Sequence, residues 1–264
     1  MLLPPSPQWI TTSTAVYLIT HLLARPRRFL DHFSILIVPV LNPDGYTHTW
    51  ESDRFFRKNR QLVSDDNGGG WWPPRRKCYG IDISRNFPVN FRADDAQSGS
   101  GACSPTYAGE DPLATAESRA LATYLRDEAN GVVSFIDLHS YGQLLLYPWM
   151  SCSPDSSVHQ TLGESIPDEE DISEVALGAA RAAKLVHNRQ YRAGRGCETM
   201  YGQDGSSVDF SYADAGIKWS FEMELRDEGS YGFLLPPEQI RPTGEEAAAS
   251  LDYILNFIAK REHL

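Results

Sequence analysis

The sequence has no run of about 18 apolar residues, the length that a membrane-spanning helix needs. Its first residues, Met1-Leu2-Leu3-Pro4-Pro5, have neither the basic start nor the apolar core of a signal peptide. Positive charge is scarce as well, because 24 Lys and Arg face 35 Asp and Glu and leave a net charge of -11. We therefore expect no membrane segment and, since nucleic-acid phosphates repel a protein of this sign, no nucleic-acid partner.

Cysteine is also sparse, with four residues and no Cys-x-x-Cys pair of the kind that holds structural zinc. The even number favours two disulfides in an oxidising compartment over four buried free thiols. The sequence also contains no internal repeat, no low-complexity tract and no linker between domains. A chain of 264 residues with 41% hydrophobic content predicts a single domain, residues 1–264, around a sizeable core.

Apolar periodicity predicts helices that alternate with short strands. The predicted helices are 12–24, 115–128, 172–187 and 245–260, and the predicted strands are 33–41, 132–138, 144–149 and 217–225. Asn42-Pro43-Asp44-Gly45 has the composition of a turn, and residues 62–95 are expected to be mostly loop. This alternation predicts an α/β fold, a three-layer α/β/α sandwich with a mixed, largely parallel central sheet.

Two strand segments carry polar groups that could be functional. His139 follows an apolar strand, where functional groups gather in such sheets, although a single histidine there is more often simply packed. Strand alternation puts Glu222 and Glu224 on one face of the last predicted strand. One of these carboxylates could be a general base, while a solvated edge strand is the plainer interpretation.

Several separated motifs, taken in order, resemble the zinc metallocarboxypeptidases of the carboxypeptidase A family. They are Asn-Pro-Asp-Gly-Tyr (42–46), Arg-Phe-Phe-Arg-Lys-Asn-Arg (54–60), Gly-Ile-Asp-Ile-Ser-Arg-Asn-Phe (80–87), Tyr-Ala-Gly (107–109), His-Ser-Tyr-Gly-Gln-Leu-Leu-Leu-Tyr-Pro (139–148), Gly-Ser-Ser-Val-Asp (205–209) and Glu-Leu-Arg-Asp-Glu-Gly-Ser-Tyr-Gly-Phe-Leu-Leu-Pro (224–236). The resemblance runs from about Trp9 to Thr243 and implies the family's α/β/α sheet.

The resemblance also implies roles for individual residues in peptide hydrolysis. His139 matches the third zinc ligand, and Glu224 matches the carboxylate that takes a proton from zinc-bound water. Arg57 matches the cation that stabilises the developing oxyanion, and Arg85 matches the guanidinium that clamps the substrate's terminal carboxylate. The implied partners are therefore peptide or protein C-termini, and the implied cofactor is zinc.

Other matched positions concern the last side chain of the substrate and the cellular compartment in which the protein is found. Tyr201 matches the mobile tyrosine that closes over substrate, and Val208 matches the floor of the specificity pocket, which favours apolar or aromatic ends. The resemblance implies the disulfides Cys78–Cys103 and Cys152–Cys197. It thereby implies a secreted protein, which we expect to be a monomer.

The sequence departs from the family pattern at two places. Ser84 stands where the family usually has a carboxylate-binding Asn, which removes a hydrogen bond worth on the order of 1 kcal/mol. The family's His-x-x-Glu zinc motif should precede Trp9, but Pro5-Ser6-Pro7-Gln8 occupies those positions, with Pro7 where a substrate-binding Arg is expected. Since catalytic zinc needs three protein ligands, His139 alone should not hold the ion tightly.

These departures leave two functional hypotheses. One is a zinc carboxypeptidase domain that is N-terminally incomplete, with residues 1–8 foreign to the fold and activity impaired; the other is a non-catalytic module that binds peptide C-termini through Arg85 and Tyr201. Retention of Glu224 and Arg57 mildly favours the enzyme, because a binding module has no use for a general base.

Overall fold

The computed structural model describes residues 7–65, 77–93, 101–127, 131–152 and 166–263. The α-helices are α1 (Trp9–Ala24), α2 (Pro43–Glu51), α3 (Ala116–Arg126), α4 (Glu169–His187), α5 (Gly196–Thr199), α6 (Ser207–Ala213) and α7 (Ile240–Arg261). The strands are β1 (Leu62–Asp65), β2 (Lys77–Tyr79), β3 (Ser134–Ser140), β4 (Leu144–Tyr147), β5 (Arg192–Arg195) and β6 (Trp219–Leu225). Among the described helices, none has the length and apolar character needed to cross a membrane.

The main sheet has the strand order β3-β6-β4-β5. β3 pairs with β6 in parallel, β6 pairs with β4 in antiparallel fashion, and β4 pairs with β5 in parallel. A separate two-stranded antiparallel sheet is formed by β1 and β2. The main sheet is therefore mixed and mostly parallel, as the sequence predicted.

Helices cover both faces of this sheet, because its strands alternate apolar side chains toward each face. Helices α1, α4 and α7 pack on the face that carries Ile136, Leu145 and Phe221. The other face carries Phe135 and Leu146 and packs against residues of α3 and α6. Burial of these side chains contributes roughly 25 cal/mol per Å² of apolar surface. The predicted three-layer α/β/α architecture is confirmed.

The predicted strand 33–41 is wrong: residues 33–41 form no strand. In the described sheet β3 pairs only with β6, and a cavity of about 350 Å³ is lined by residues of the segment 33–41 and of β3. Leu36 is 43% exposed, whereas Ile35 and Ile37 pack against the larger core cluster. The alternation of apolar residues therefore marks one buried face of the segment, but the segment pairs with no strand in the described structure.

The structure refines three smaller expectations. Asn42-Pro43-Asp44-Gly45 begins α2 rather than closing a turn, because the Asn42 side chain accepts a hydrogen bond from Gly45 N at 3.0 Å and Pro43 suits the first helical turn. The predicted loop 62–95 contains the β1–β2 hairpin. The predicted helix 115–128 ends at Arg126 as α3, and Glu128 lies outside the described residues.

The cysteines form the two implied disulfides. Cys78 pairs with Cys103, with a Cα separation of 4.9 Å, and Cys152 pairs with Cys197, with a Cα separation of 5.0 Å. Both separations lie in the usual range for disulfides. The interpretation of two disulfides, rather than four free thiols, is confirmed.

A buried ion pair connects the end of β6 to α7. Arg226 follows β6, and its Nε donates to Glu246 of α7 at 2.8 Å. Glu246 is fully buried and also accepts a hydrogen bond from Tyr191 Oη at 3.0 Å. The pair therefore holds the last helix against the strand that carries Glu222 and Glu224.

Glu246→Ala should lower the free energy of unfolding by about 3–5 kcal/mol, because it leaves the Arg226 charge buried without its partner. Urea denaturation under non-reducing conditions measures this change. Arg241→Gln is the control, since Arg241 is a surface residue whose pair with Glu245 is solvent-screened, and its unfolding curve should overlay that of the wild type. Equal stability of Glu246→Ala and wild type would show that the pair does not hold α7.

Candidate functional site

The parallel register of β3 and β6 brings four ionisable side chains together on one face of the sheet. Asp137 lies opposite Glu222, and His139 lies opposite Glu224. Because side chains two residues apart share a face, the four groups form two adjacent rows. We call these four residues the acidic cluster. In the next strand, Leu144 and Leu146 lie opposite Glu224 and Glu222, so an apolar row borders the acidic cluster.

The acidic cluster is almost completely buried. Exposed fractions are 3% for Asp137, 3% for His139, 1% for Glu222 and 6% for Glu224. Nε2 of His139 lies 3.2 Å from Asp137 Oδ2 and 3.9 Å from Glu222 Oε2. Asp137 Oδ2 also accepts a hydrogen bond from Ser207 Oγ at 2.6 Å. The solvated edge strand considered for Glu222 and Glu224 is therefore wrong, because β6 lies inside the sheet.

Glu222 is the least satisfied member of this group. Within the described residues, neither of its carboxylate oxygens has a hydrogen-bond partner, and the same holds for Glu224 Oε2 and Asp137 Oδ1. Taking a carboxylate out of water without partners costs on the order of several kcal/mol. The cluster must therefore gain compensating charge from a proton or a cation.

Burial and mutual repulsion shift the pKa values in this cluster. Burial, followed by the Glu222 charge, raises the pKa of Glu224 to about 8. Burial also raises the pKa of Glu222, although His139 opposes the shift. For His139, burial favours the neutral ring, but the Asp137 and Glu222 carboxylates outweigh it and raise the pKa to about 10.

A second group next to the acidic cluster is built around Asp82. Asp82 caps the short 3-10 helix Ile83–Arg85 and accepts hydrogen bonds from Ser84 N at 3.2 Å and Ser84 Oγ at 2.8 Å. Arg57 Nε donates to Asp82 Oδ2 at 2.7 Å, and Arg57 Nη2 donates to Ser84 Oγ at 2.8 Å. Arg85 Nε lies 3.5 Å from the same Asp82 oxygen. Asp82 thus gathers two guanidinium groups into one place.

Two cavities connect these groups. The larger cavity has a volume of about 200 Å³, and its lining includes Arg57, His139, Tyr201 and Glu224. The lining of the smaller cavity includes Arg57, Asp82, Ser84 and His139. Tyr201 is 66% exposed at the rim. Val208 is fully buried in the core cluster on this side of the sheet, at the start of α6. Its assignment to a specificity pocket stays a prediction, as do the catalytic and binding roles of the other matched residues.

The residues in the described part of the chain do not reproduce the zinc site that the resemblance implies. Gln8 is 2% exposed, and its side-chain oxygen accepts a hydrogen bond from Ser140 N at 2.8 Å. A neutral amide oxygen already bonded to the backbone is a poor substitute for a carboxylate ligand. Pro5 lies outside the described residues. The role of His139 as a zinc ligand and the loss of the other family ligands therefore stay predictions.

Sequence reasoning gave no role to two residues of this region, Asp82 and Asp137, and it considered Glu222 only as one of two possible general bases. A usable signal was present for Asp137, because the spacing Asp-x-His in β3 places both groups on one face of the strand, as the spacing Glu-x-Glu does in β6. Asp82 gave no such signal, since Arg57 reaches it from a loop 25 positions away in the chain.

Comparisons with known proteins agree on one family. Residues 6–250 match the family model described as zinc carboxypeptidase. The chain is 33% identical to the inactive metallocarboxypeptidase ECM14 of Ajellomyces dermatitidis, with 95% of this chain and 43% of the relative covered. It is 36% identical to carboxypeptidase B of Rattus norvegicus, with 90% of this chain and 51% of the relative covered. The chain thus spans about half the length of these curated relatives.

A solved structure supports the same conclusion. Bovine thrombin-activatable fibrinolysis inhibitor, determined in complex with a tick carboxypeptidase inhibitor, superimposes with a TM-score of 0.84 at 33% identity. The alignment covers 99% of this chain and 82% of that structure. The mixed sheet and its helical layers are therefore similar to those of a carboxypeptidase.

Asp82→Asn should lower the free energy of unfolding by about 3–5 kcal/mol at pH 7, because Arg57 loses its buried partner. Burial alone would raise the pKa of Asp82, but Arg57 and Arg85 outweigh it and hold that pKa below its usual value. The stabilisation is therefore fully present above the unfolded pKa of about 3.9 and is lost as the pH falls through the folded pKa. Urea denaturation at pH 7 and between about pH 4 and pH 2.5 should show the difference between variant and wild type shrinking. A difference that does not change with pH would contradict this account of Asp82.

Proposed function

Because the chain belongs to the zinc carboxypeptidase family, we propose that it binds the C-terminal residue of peptides without hydrolysing the peptide bond. The observation that supports this proposal most is the contrast between two residues that line the same cavity, Arg57 and Gln8. Arg57 lines the cavity and shares Asp82 with Arg85, whereas Gln8, which lines the same cavity, stands where the resemblance places a zinc-binding carboxylate.

Recognition of a terminal carboxylate needs donors that are fixed and charged. Arg57 is hydrogen-bonded to Asp82 and Ser84, so little of its side-chain freedom is left to lose when a peptide binds, and Arg85 lies 3.5 Å from the same carboxylate. A guanidinium that makes two hydrogen bonds to a carboxylate provides both energy and orientation. Tyr201 at the rim is exposed enough to cover a bound residue. We propose Arg85 as the main carboxylate contact, with Ser84 beside it.

The proposed type of C-terminal residue rests on the match of Val208 to the floor of the family's specificity pocket. Val208 is buried together with Phe87 and Phe210 on this side of the sheet, and no acidic side chain occupies position 208. An apolar pocket favours aliphatic and aromatic side chains over basic ones. We therefore propose peptides that end in residues such as Phe or Leu.

Loss of hydrolysis follows from the ligand set. A zinc-bound water can be deprotonated near pH 7 only if the protein holds the ion in a site with an open position. The described residues lack the family's full donor set, and a similar protein of Ajellomyces dermatitidis is named inactive. An impaired but active zinc carboxypeptidase is the second candidate, favoured by Arg57 and Glu224 lining the same cavity.

We also propose an extracellular location for the mature protein. Cys78–Cys103 joins β2 to the short 3-10 helix Gly101–Cys103, and Cys152–Cys197 joins the segment after β4 to α5. Disulfides of this kind persist in oxidising compartments and are rare in the cytosol.

The proposal predicts that a blocked dipeptide ending in Phe binds, and that the same peptide with a C-terminal amide binds much more weakly. Arg85→Gln should weaken binding of the free acid roughly 10- to 100-fold, because charge-assisted hydrogen bonds contribute about 1.5–3 kcal/mol. Isothermal titration calorimetry measures these affinities, and Arg241→Gln, far from the cavity, should leave them unchanged.

Incubation of the free-acid peptide with the chain, with and without added Zn²⁺, should release no Phe by mass spectrometry. Equal affinities for acid and amide would overturn the binding proposal. Release of Phe above the background of a protein-free sample would favour the second candidate instead.

A further inference from the structure

A third cavity, which shares only Arg57 with the two described above, combines positive charge with aromatic walls. It has a volume of about 300 Å³, and pockets for small molecules are roughly 300–1,000 Å³ in size. Its lining includes four cationic residues and one carboxylate: Arg57, Lys58, Arg60, Lys77 and Asp53. The whole chain has a net charge of -11, so this group of cations stands out from the rest of the protein. We call this cavity the basic pocket.

Arg60 is held flat in the basic pocket without an anionic partner. Its guanidinium carbon lies 4.9 Å from the ring centroid of Phe56 and 4.8 Å from that of Tyr79, and both rings line the pocket. Contacts of this kind hold a guanidinium by its faces and leave the N–H groups at its edge available. In the described part of the chain, no carboxylate or carbonyl accepts a hydrogen bond from these N–H groups.

Lys58 is a second cation of the basic pocket that lacks an anionic partner. It is 4% exposed, and its Nζ donates to the backbone oxygen of Ala102 at 2.8 Å. Burial lowers the pKa of Lys58 to about 8, and the charge of Asp82 offsets this effect only in part. Buried charges in proteins are normally paired, and a carbonyl oxygen carries no full charge. An anion in the pocket would provide the missing partner.

We propose that the basic pocket binds the phosphate group of a small phosphate monoester, with Arg60 and Lys58 as its main contacts. A guanidinium offers parallel N–H groups that match two phosphate oxygens, and an ammonium group acts as a point charge. Arg60 and Lys58 together supply two positive charges without a partner carboxylate among the described residues. A phosphate monoester has a charge of about -1.5 to -2 at pH 7 and balances them better than a carboxylate.

The walls of the basic pocket are already in place for such a ligand. The disulfide Cys78–Cys103 lines the pocket and joins β2, which contains Tyr79, to the short 3-10 helix that precedes Ser104. A preformed site loses little conformational freedom when a ligand binds. Phe55 also lines the pocket and is 58% exposed, so it offers an apolar surface to the carbon skeleton of the ester.

Calorimetric titration of the full chain at neutral pH with glucose 6-phosphate, glucose 6-sulfate, inorganic phosphate or glucose tests the proposal. We expect one glucose 6-phosphate per chain, weaker binding of the singly charged sulfate ester and of the free phosphate ion, and no binding of glucose. Arg60→Gln and Lys58→Met should each weaken binding of glucose 6-phosphate roughly 10- to 100-fold, the effect of losing a charge-assisted hydrogen bond. Arg60→Lys keeps the charge but not the planar fork, and its affinity should be intermediate.

Arg241→Gln is the control for a general loss of positive charge, since Arg241 lies on the surface in α7, and it should bind as the wild type does. Glucose 6-phosphate should raise the melting temperature of the wild type but not that of Arg60→Gln, which separates loss of the site from loss of the fold. Equal binding by wild type, Arg60→Gln and Lys58→Met, or no binding of any anion, would overturn the proposal. Inorganic phosphate that binds as tightly as the ester would overturn the assignment to an ester.

The phosphate site and the peptide site can fail separately. Arg60 lines the basic pocket but neither of the other two cavities. Arg60→Gln should therefore bind the blocked dipeptide ending in Phe with the affinity of the wild type. A loss of dipeptide binding in this variant would contradict the separation of the two sites.

Discussion

The parallel pairing of β3 with β6 is the constraint on which the candidate site depends. Its register places Asp137 beside Glu222 and His139 beside Glu224 on one face, while Ile136, Phe221 and Met223 fill the core on the other. A shift of one residue in either strand would turn charged groups into that core. Packing of the hydrophobic face therefore fixes the register of the two strands. As a consequence, the carboxylates on the opposite face are buried close to one another.

This arrangement separates the packing of the fold from the charged side chains. Ile136, Phe221 and Met223 face the core that α4 and α7 cover, whereas the acidic cluster lies on the opposite face of the sheet. The cost of burying charge falls on the cluster itself, where Glu222 is buried without a hydrogen bond in the described structure. Proton uptake limits that cost, because burial raises the pKa of both Glu222 and Glu224. The balance of charge is the opposite around Asp82, because this single carboxylate lies close to two guanidinium groups, those of Arg57 and Arg85.

The sequence predicted the layers, the main helices and the faces of β6, because apolar periodicity records burial directly. It could not show that β6 lies inside the sheet, since the partner β3 is about 85 positions away and pairing between distant strands leaves no local trace. The prediction of a strand at 33–41 failed for a related reason. The alternation of apolar residues marks a buried face, but a strand also requires a partner strand. The prediction of a turn at Asn42 was wrong because the same residue types that form turns also begin helices. Asp82 could not be found at all, because its role depends on two loops meeting in space.

A crystal structure of the protein with a blocked dipeptide ending in Phe tests the central claim most directly. The account predicts that the peptide bond is intact and that the terminal carboxylate lies within about 3.2 Å of the Arg85 guanidinium. A terminal carboxylate bound away from Arg85, or a cleaved peptide, would contradict it.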